Sequence, residues 1–372
     1  MTQTVCLNMI VKDEAPVIRR CLESVRPLID TWVIVDTGST DGTQDIIREV
    51  YGDLPGELHE RPWKGFDGSR TEAIELARPR ADYLLFMDAD DVMDVRPGSR
   101  LPELTLDAYR LTISGGTYNY RRRALVSTRL PWRYVGVLHE YLDCGTTYSL
   151  GTLEGATIVI VGGGGRSRDR SARDKYLADA EILRRGLAAE PGNERYVFYL
   201  GQSLRNAGEF EQALEAYDRR AAMGGWDEEV FCARLFAAQL AEELERPAAE
   251  VLERYLSAHE SRPTRAEALG GLARWCRVNG ERWPLAHMFA RQAAQLPYPG
   301  DDHLFVESEW YEWGALDELA VSAYWVGAHE EAERCGERLL KDGKLPAEHR
   351  DRVVQNLELV RRHLRSGQLA RA

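Results

Sequence analysis

Residues 83–91 read YLLFMDADD. Tyr83–Met87 is an apolar run of strand length, and Asp88, Asp90 and Asp91 follow within four positions. Carboxylates crowded at the end of a buried strand repel one another and resist burial, so the arrangement calls for a compensating positive charge.

The chain upstream of this stretch alternates between two periods. TVCLNMIV (4–11) is a β-branched apolar run, a strand, and WVIVD (32–36) is a second. Between them Ile18, Cys21, Leu22, Val25 and Ile29 recur at helical spacing, with Pro16 suited to a first helical turn. TGSTDGT (37–43) is a turn, QDIIREVY (44–51) a helix, GELHERP (56–62) a short strand. SRTEAIELA (69–77) is a helix whose Ser69 and Glu72 have capping-box spacing. Strand–helix alternation of this kind predicts a parallel sheet with helices on its faces. Ligands of such sheets bind beyond the carboxyl ends of the strands. Asp13, Asp36 and the 88–91 cluster all map there.

From Ala108 to about Val161 strands predominate: AYRLTI, RALVSTRL, YVGVLHEYL and ATIVIV. They predict a mixed extension of the sheet, with His139 and Glu140 at a strand end. VGGGGRSRDRSARD (161–174) ends it, and Arg166, Arg168 and Arg170 are candidates to fold over a bound anion. Beyond Lys175 the chain is helical and repetitive. Leu200, Gly201, Leu204, Gly208, Ala213 and Tyr217 have the spacing of a tetratricopeptide hairpin. The pattern returns at Leu272, Ala273, Cys276, Gly280, Phe289 and Pro297, and at Leu319, Ala320, Ala323, Gly327, Ala332 and Gly336. At about 34 residues per repeat, roughly four or five hairpins are expected.

The chain has 372 residues, 44% hydrophobic and 29% charged, with formal net charge −12. That balance argues against a nucleic-acid backbone as partner. The six cysteines are far apart with no CxxC pair, which predicts neither a disulfide framework nor a zinc site. The start MTQTVCLNMIVKDE reaches charge too early for a signal peptide, and no apolar run is long enough to span a bilayer. The expectation is a cytoplasmic protein without membrane insertion.

LNMIVKDEAPVIRRCLESV, VIVDTGSTDGT and LLFMDADD together resemble the nucleotide-sugar domain of family 2 glycosyltransferases, the GT-A fold. WRYVGVLHEYL, FYLGQSLRNAGEFEQALEAY and DELAVSAYWVGAHEEA are similar to the subgroup that carries tetratricopeptide-like helices behind that domain. The fold expectation is therefore an α/β GT-A (Rossmann-like) domain over residues 1–165 and an all-α tetratricopeptide-like domain over 166–372. The resemblance implies a UDP-sugar donor carrying glucose or N-acetylglucosamine, a manganese or magnesium ion, and an inverting transfer. It implies that Asp90, with Asp88 and His139, holds the metal, and that Asp36 meets the uracil or ribose. Met9, Val11 and Glu14 fall where the family's first loop surrounds the base, and Arg70 is a diphosphate candidate. Glu140 and Asp91 are rival general bases. The subgroup includes enzymes that glycosylate Ser or Cys of ribosomal peptides, so a peptide or protein acceptor is expected, with a carbohydrate or small acceptor as the alternative. The helices would hold the acceptor or join two copies. A different class, an inactive helical-repeat adaptor, is disfavoured by the intact Asp36, Asp88, Asp90 and His139. The family often has Arg-Asn where this chain has Arg70-Thr71, which removes an asparagine from the expected nucleotide contacts.

Overall fold

The structure is a computed structural model that describes residues 3–95, 101–115, 119–165, 171–302 and 304–369. Arg166, Arg168 and Arg170 lie outside the described residues. The chain divides into two compact units, Met1–Pro191 and Gly192–Ala372. The sequence places the division at 165/166, whereas the helix Ala172–Ala189 falls in the first unit.

In the first unit β1 (Val5–Val11), β2 (Thr31–Asp36), β3 (Gly56–Glu60) and β4 (Tyr83–Phe86) are parallel, in the order β3-β2-β1-β4. The helices α1 (Ile18–Val25), α2 (Thr43–Tyr51) and α3 (Gly65–Ala77) connect them. β1 is buried on both faces, which is why it reads as an unbroken apolar run. Alternate side chains go to opposite cores. Leu7, Ile34 and Leu85 pack with Ile18, Leu22 and Ile47 of α1 and α2. Cys6, Val33, Leu84 and Phe86 pack with Ile74 and Ala77 of α3. Asn8 is buried on this second face; its amide donates to Ala73 O (2.8 Å) and Val33 O (3.3 Å), tying α3 to the sheet.

The sheet continues beyond β4 as expected, in mixed fashion. β5 is Asp91–Val95, β6 Ala108–Ser114, β7 Asn119–Ser127 and β10 Leu150–Ile160. β7 is antiparallel to β4 and β6, β10 is parallel to β6, and β5 is antiparallel to β10. The order of the eight strands is β3-β2-β1-β4-β7-β6-β10-β5.

Two local expectations are corrected. YVGVLHEYL is not one strand but a small hairpin, β8 (Arg133–Val135) against β9 (Tyr141–Asp143). Gly136 at φ 116° and His139 at φ 52° are left-handed, so the chain cannot stay extended there and His139 and Glu140 sit in the turn. Ser69 does not cap α3. The helix starts at Gly65, and the Ser69 hydroxyl, inside it, accepts the Lys64 N–H at 3.1 Å. Arg70 is accordingly in the second turn rather than at a helix N-terminus, so its usefulness to an anion rests on its own charge.

The second unit is a run of antiparallel helix pairs: Glu194–Asn206 with Phe210–Met223, Asp227–Glu243 with Ala248–Ser261, Glu267–Val278 with Trp283–Ala293, and Ala315–Trp325 with His329–Lys341. The long helix Ala347–Leu369 packs on the last of these. The repeat residues behave as their spacing requires. A Cβ at Gly201 would stand 2.8 Å from the Tyr217 ring, so the small residue sets the distance between the first two helices. Gly208, Gly280 and Gly327, at φ 77°, 113° and 81°, make the turns. A buried ion network joins the middle pairs: Arg265, fully buried, meets Glu267 at 2.7 Å and Asp302 at 3.2 Å. No described helix is long and apolar enough to cross a membrane. All six cysteines are free and buried.

Candidate active site at the ends of the parallel strands

Val11 pairs with Asp36, and Asp36 with Glu60, so β1, β2 and β3 end level with one another. The loops leaving β1 and β2 are zipped together. The Asp13 N–H donates to Ser39 Oγ (2.8 Å), the Thr40 N–H to Asp13 Oδ1 (2.8 Å), the Glu14 N–H to Thr43 Oγ1 (2.8 Å), and the Ala15 N–H to Asp41 Oδ2 (3.0 Å). TGSTDGT is therefore a latch for the first loop, built from short side chains that bond backbone amides.

Asp36 closes β2 and is fully buried. One carboxylate oxygen accepts the N–H groups of Gly38 (2.8 Å) and Ser39 (2.7 Å). The other is buried and has no hydrogen-bond partner among the described residues. A buried charged oxygen left unpaired is costly, and such atoms mark places that a ligand or water satisfies. Met9 and Val11 do not offer side chains to this loop. Both belong to the core beneath it, and the Val11 carbonyl is taken by Thr37.

The Asp88–Asp91 turn follows β4, with the Asp91 N–H donating to Asp88 O at 3.2 Å. Asp88 Oδ1 meets Arg70 at 2.5 Å and Oδ2 meets Arg122 of β7 at 3.2 Å. Burial by itself would raise the Asp88 carboxyl; Arg70, then Arg122, outweigh it and hold the group well below the usual carboxylate range. Asp91 shows the opposite balance. It is buried at the start of β5, and burial, then the charges of Asp88 and Asp90, push its carboxyl up to about 7.

Arg70 also reaches the β8–β9 turn, where its Nε lies 2.7 Å from Glu140. Its guanidinium stands 5.4 Å from the Tyr134 ring centroid. Thr71, in place of the family's asparagine, has a structural use here: its hydroxyl accepts the Tyr134 N–H at 3.0 Å and fixes β8 against α3.

The glycine segment after β10 returns to this site. Arg20 donates to the Asp90 carbonyl (3.0 Å) and to Gly162 O. The Gly164 N–H points to Asp90 Oδ2 at 3.3 Å, and the Gly165 N–H to Glu14 Oε2 at 3.1 Å. A Cβ at Gly165 would lie 2.6 Å from Asp13 O and 2.8 Å from Lys12 O, so only glycine fits that close to the first loop.

Of the expected residues, the structure brings Asp88, Arg70 and Glu140 into one cluster, with Asp90 and Asp91 on the adjoining turn and Glu14 and Asp90 joined through the glycine segment. It does not gather Asp88, Asp90 and His139 as a three-ligand set. Among the described residues no three His, Cys, Asp or Glu side chains converge in that way. Asp88 is turned to its two arginines, and His139 is exposed on left-handed backbone. Arg122 is the residue that sequence reading missed. It lies within Arg121–Arg123, where only strand register reveals which side chain turns to Asp88. The carboxylates fit a hard divalent cation of the magnesium or manganese kind, which is commonly held by one or two carboxylates and completed by substrate phosphates and water. Asp90, half-buried with one long amide contact, is the better ligand; Asp88 would have to give up an arginine.

Residues 6–135 match the family profile described as Glycosyl transferase family 2. The first unit thus carries a family 2 glycosyl transferase domain. The chain is 24% identical over 225 residues to the SPbeta prophage-derived glycosyltransferase SunS of Bacillus subtilis strain 168, covering 58% of this chain and 52% of that one. It is 33% identical over 147 residues to a TPR repeat-containing protein of Synechococcus elongatus, covering 37% and 35%. The chain spans about half the length or less of these relatives. S. aureus TarS 1–349, solved in complex with UDP-GlcNAc, superposes with a TM-score of 0.36 at 14% identity, over 70% of this chain and 91% of that one.

Proposed function

We propose that this protein is an inverting, metal-dependent glycosyltransferase that moves a hexose or N-acetylhexosamine from a UDP-sugar to the side chain of a peptide or protein. The observation that carries the reading is the unpaired, buried oxygen of Asp36 at the same end of the parallel strands as the charged cluster of Asp88, Arg70 and Glu140, within a domain that matches family 2. Asp36 would take a hydrogen bond from the ribose or base. Asp90, with Asp88, would hold a divalent cation, which would supply charge neutralisation to the departing diphosphate. Arg70 and Arg122, now paired with Asp88, would meet the growing diphosphate charge by exchanging a carboxylate oxygen for a phosphate one.

In one displacement the acceptor oxygen or sulfur bonds to the sugar's anomeric carbon, the bond to the diphosphate oxygen breaks with its electron pair, and UDP leaves. The acceptor's proton goes to a carboxylate. Glu140 fits this role better than Asp91. It lies on the β8–β9 turn, partly accessible, and shares Arg70 with Asp88, whereas the Asp91 side chain is buried at the start of β5. The active protein works in the cytoplasm in this reading, where nucleotide sugars and reduced thiols coexist, and its buried free cysteines suit that compartment. The test is UDP release from UDP-glucose and UDP-N-acetylglucosamine with manganese, with and without Asp36→Asn. No release from either sugar by the intact chain, with or without an added peptide, would overturn the assignment.

A further inference from the structure

A cleft of about 570 Å³ opens within the second unit, a size that suits a small ligand or a side chain with its flanking backbone. Trp310 and Trp313 line it, both on the π-helical turn Trp310–Gly314. Single π turns recur at functional sites. The Trp310 indole has one seat: a Cβ on Gly270 would come within 2.3 Å of its ring, and its Nε1 donates to Glu307 Oε2 at 2.9 Å. Trp313 rests on His349, with ring centroids 4.8 Å apart.

The charges of the cleft are unequally satisfied. Arg277 grips Glu318 through two bonds of 2.7 and 2.8 Å, and Arg352 grips Asp317 at 2.8 and 3.0 Å. Arg274 is held by Glu242, outside the cleft, at 2.9 Å. These guanidiniums are committed and offer little to an anion. Glu307 and Glu309 have no lysine, arginine or histidine within ion-pair reach among the described residues. Burial, and then the charge of Glu267, push the Glu307 carboxyl up against the hydrogen bonds from Trp310 and Gln239 and the more distant charge of Arg205. Two carboxylates without an ion-pair partner beside two indoles attract a cation by charge, to which an aromatic ring adds its quadrupole. A neutral sugar would leave both carboxylates without an ion pair, and an anion would meet them directly.

We propose that this cleft binds the cationic side chain of a lysine or arginine within a peptide. The cleft exceeds one such side chain, so neighbouring peptide backbone is accommodated with it. That the peptide is the acceptor rests on the function proposed above; the binding itself needs no transfer.

The experiment uses the full chain and fluorescein-labelled nonapeptides of Gly and Ser with one central lysine, norleucine or glutamate, read by anisotropy at fixed salt. The lysine peptide should bind at least tenfold tighter than the norleucine peptide, and the glutamate peptide should not bind. Glu307→Gln/Glu309→Gln should weaken the lysine peptide at least tenfold. Glu309→Gln alone, at an exposed position, gives a smaller loss in the same direction should the double variant unfold. Glu253→Gln/Glu330→Gln, two exposed acids elsewhere, should change it less than twofold. Equal binding of lysine and norleucine peptides would overturn the proposal. So would an equal loss in the Glu253/Glu330 variant, which would trace the attraction to the overall charge. UDP release measured on the same preparation separates this failure from a failure of the glycosyltransferase reading.

Discussion

Arg70 Nε lies 2.7 Å from the Glu140 carboxylate and so joins the third helix to the β8–β9 turn. The same guanidinium holds Asp88 at 2.5 Å. One side chain thus positions both Asp88, on the turn that carries the proposed cation ligand Asp90, and the proposed base. Arg70→Lys keeps the charge but cannot hold two carboxylates in a planar fork. It should lower kcat on the order of 10²-fold, while Arg122→Lys, whose contact with Asp88 is 3.2 Å, should cost less. Steady-state transfer rates of the two variants check this; equal losses would deny Arg70 its bridging role.

Asp36→Asn separates structure from binding. The amide oxygen can still accept the Gly38 and Ser39 N–H groups, so the turn should survive and Tm should move little. The atom that now replaces the unpaired oxygen is a donor rather than an acceptor. KM for the UDP-sugar should rise on the order of tenfold, as expected when one hydrogen bond to a charged group is lost. An unchanged KM with unchanged Tm would remove Asp36 from the donor site.

The glycine segment competes for the same carboxylates. In the structure Gly164 and Gly165 donate to Asp90 and Glu14, so donor and metal must displace those bonds. Gly165→Ala cannot approach the first loop so closely. The manganese concentration giving half-maximal UDP release should fall severalfold, because a competing closed state is weakened. A higher manganese requirement would mean that the docked segment helps to build the site.

The second unit depends on a buried charge network. Arg265→Met leaves Glu267 and Asp302 facing each other without their shared cation, and should cost about 3–5 kcal/mol in denaturant unfolding. The same network gives a pH signature. Hydrogen bonding from Arg262, and then from Arg265, depresses the Asp302 carboxyl. Its contribution is therefore present above the unfolded value of about 3.9 and is lost as pH falls through the lower folded value. Stability measured from pH 5 to 2 should fall more steeply for the native chain than for Asp302→Asn.

Much of this architecture was legible in the sequence, for identifiable reasons. β1 and β2 are buried on both faces, so their apolar runs admit one reading. The hairpins at Gly208, Gly280 and Gly327 announce themselves through a left-handed glycine and small facing residues. The pair Asp227–Glu243 and Ala248–Ser261 did not, because its turn uses Glu245 at φ 52° where the others use glycine. YVGVLHEYL reads as a strand because nothing in its composition shows that Gly136 and His139 take left-handed backbone. The partners of Asp88 were equally hidden. Arg122 and Arg123 are adjacent in sequence, yet one turns to Asp88 and the other to Tyr148, a distinction made by strand register alone.

The central claim is that Asp90 holds the cation that carries donor chemistry. Its most direct measurement is UDP release from a UDP-sugar by native chain and Asp90→Asn, each with manganese and with EDTA. The account predicts release by the native chain, its loss in EDTA, and a fall on the order of 10²-fold or more in Asp90→Asn with Tm preserved. Near-native release by Asp90→Asn, or full release by the native chain in EDTA, would contradict it.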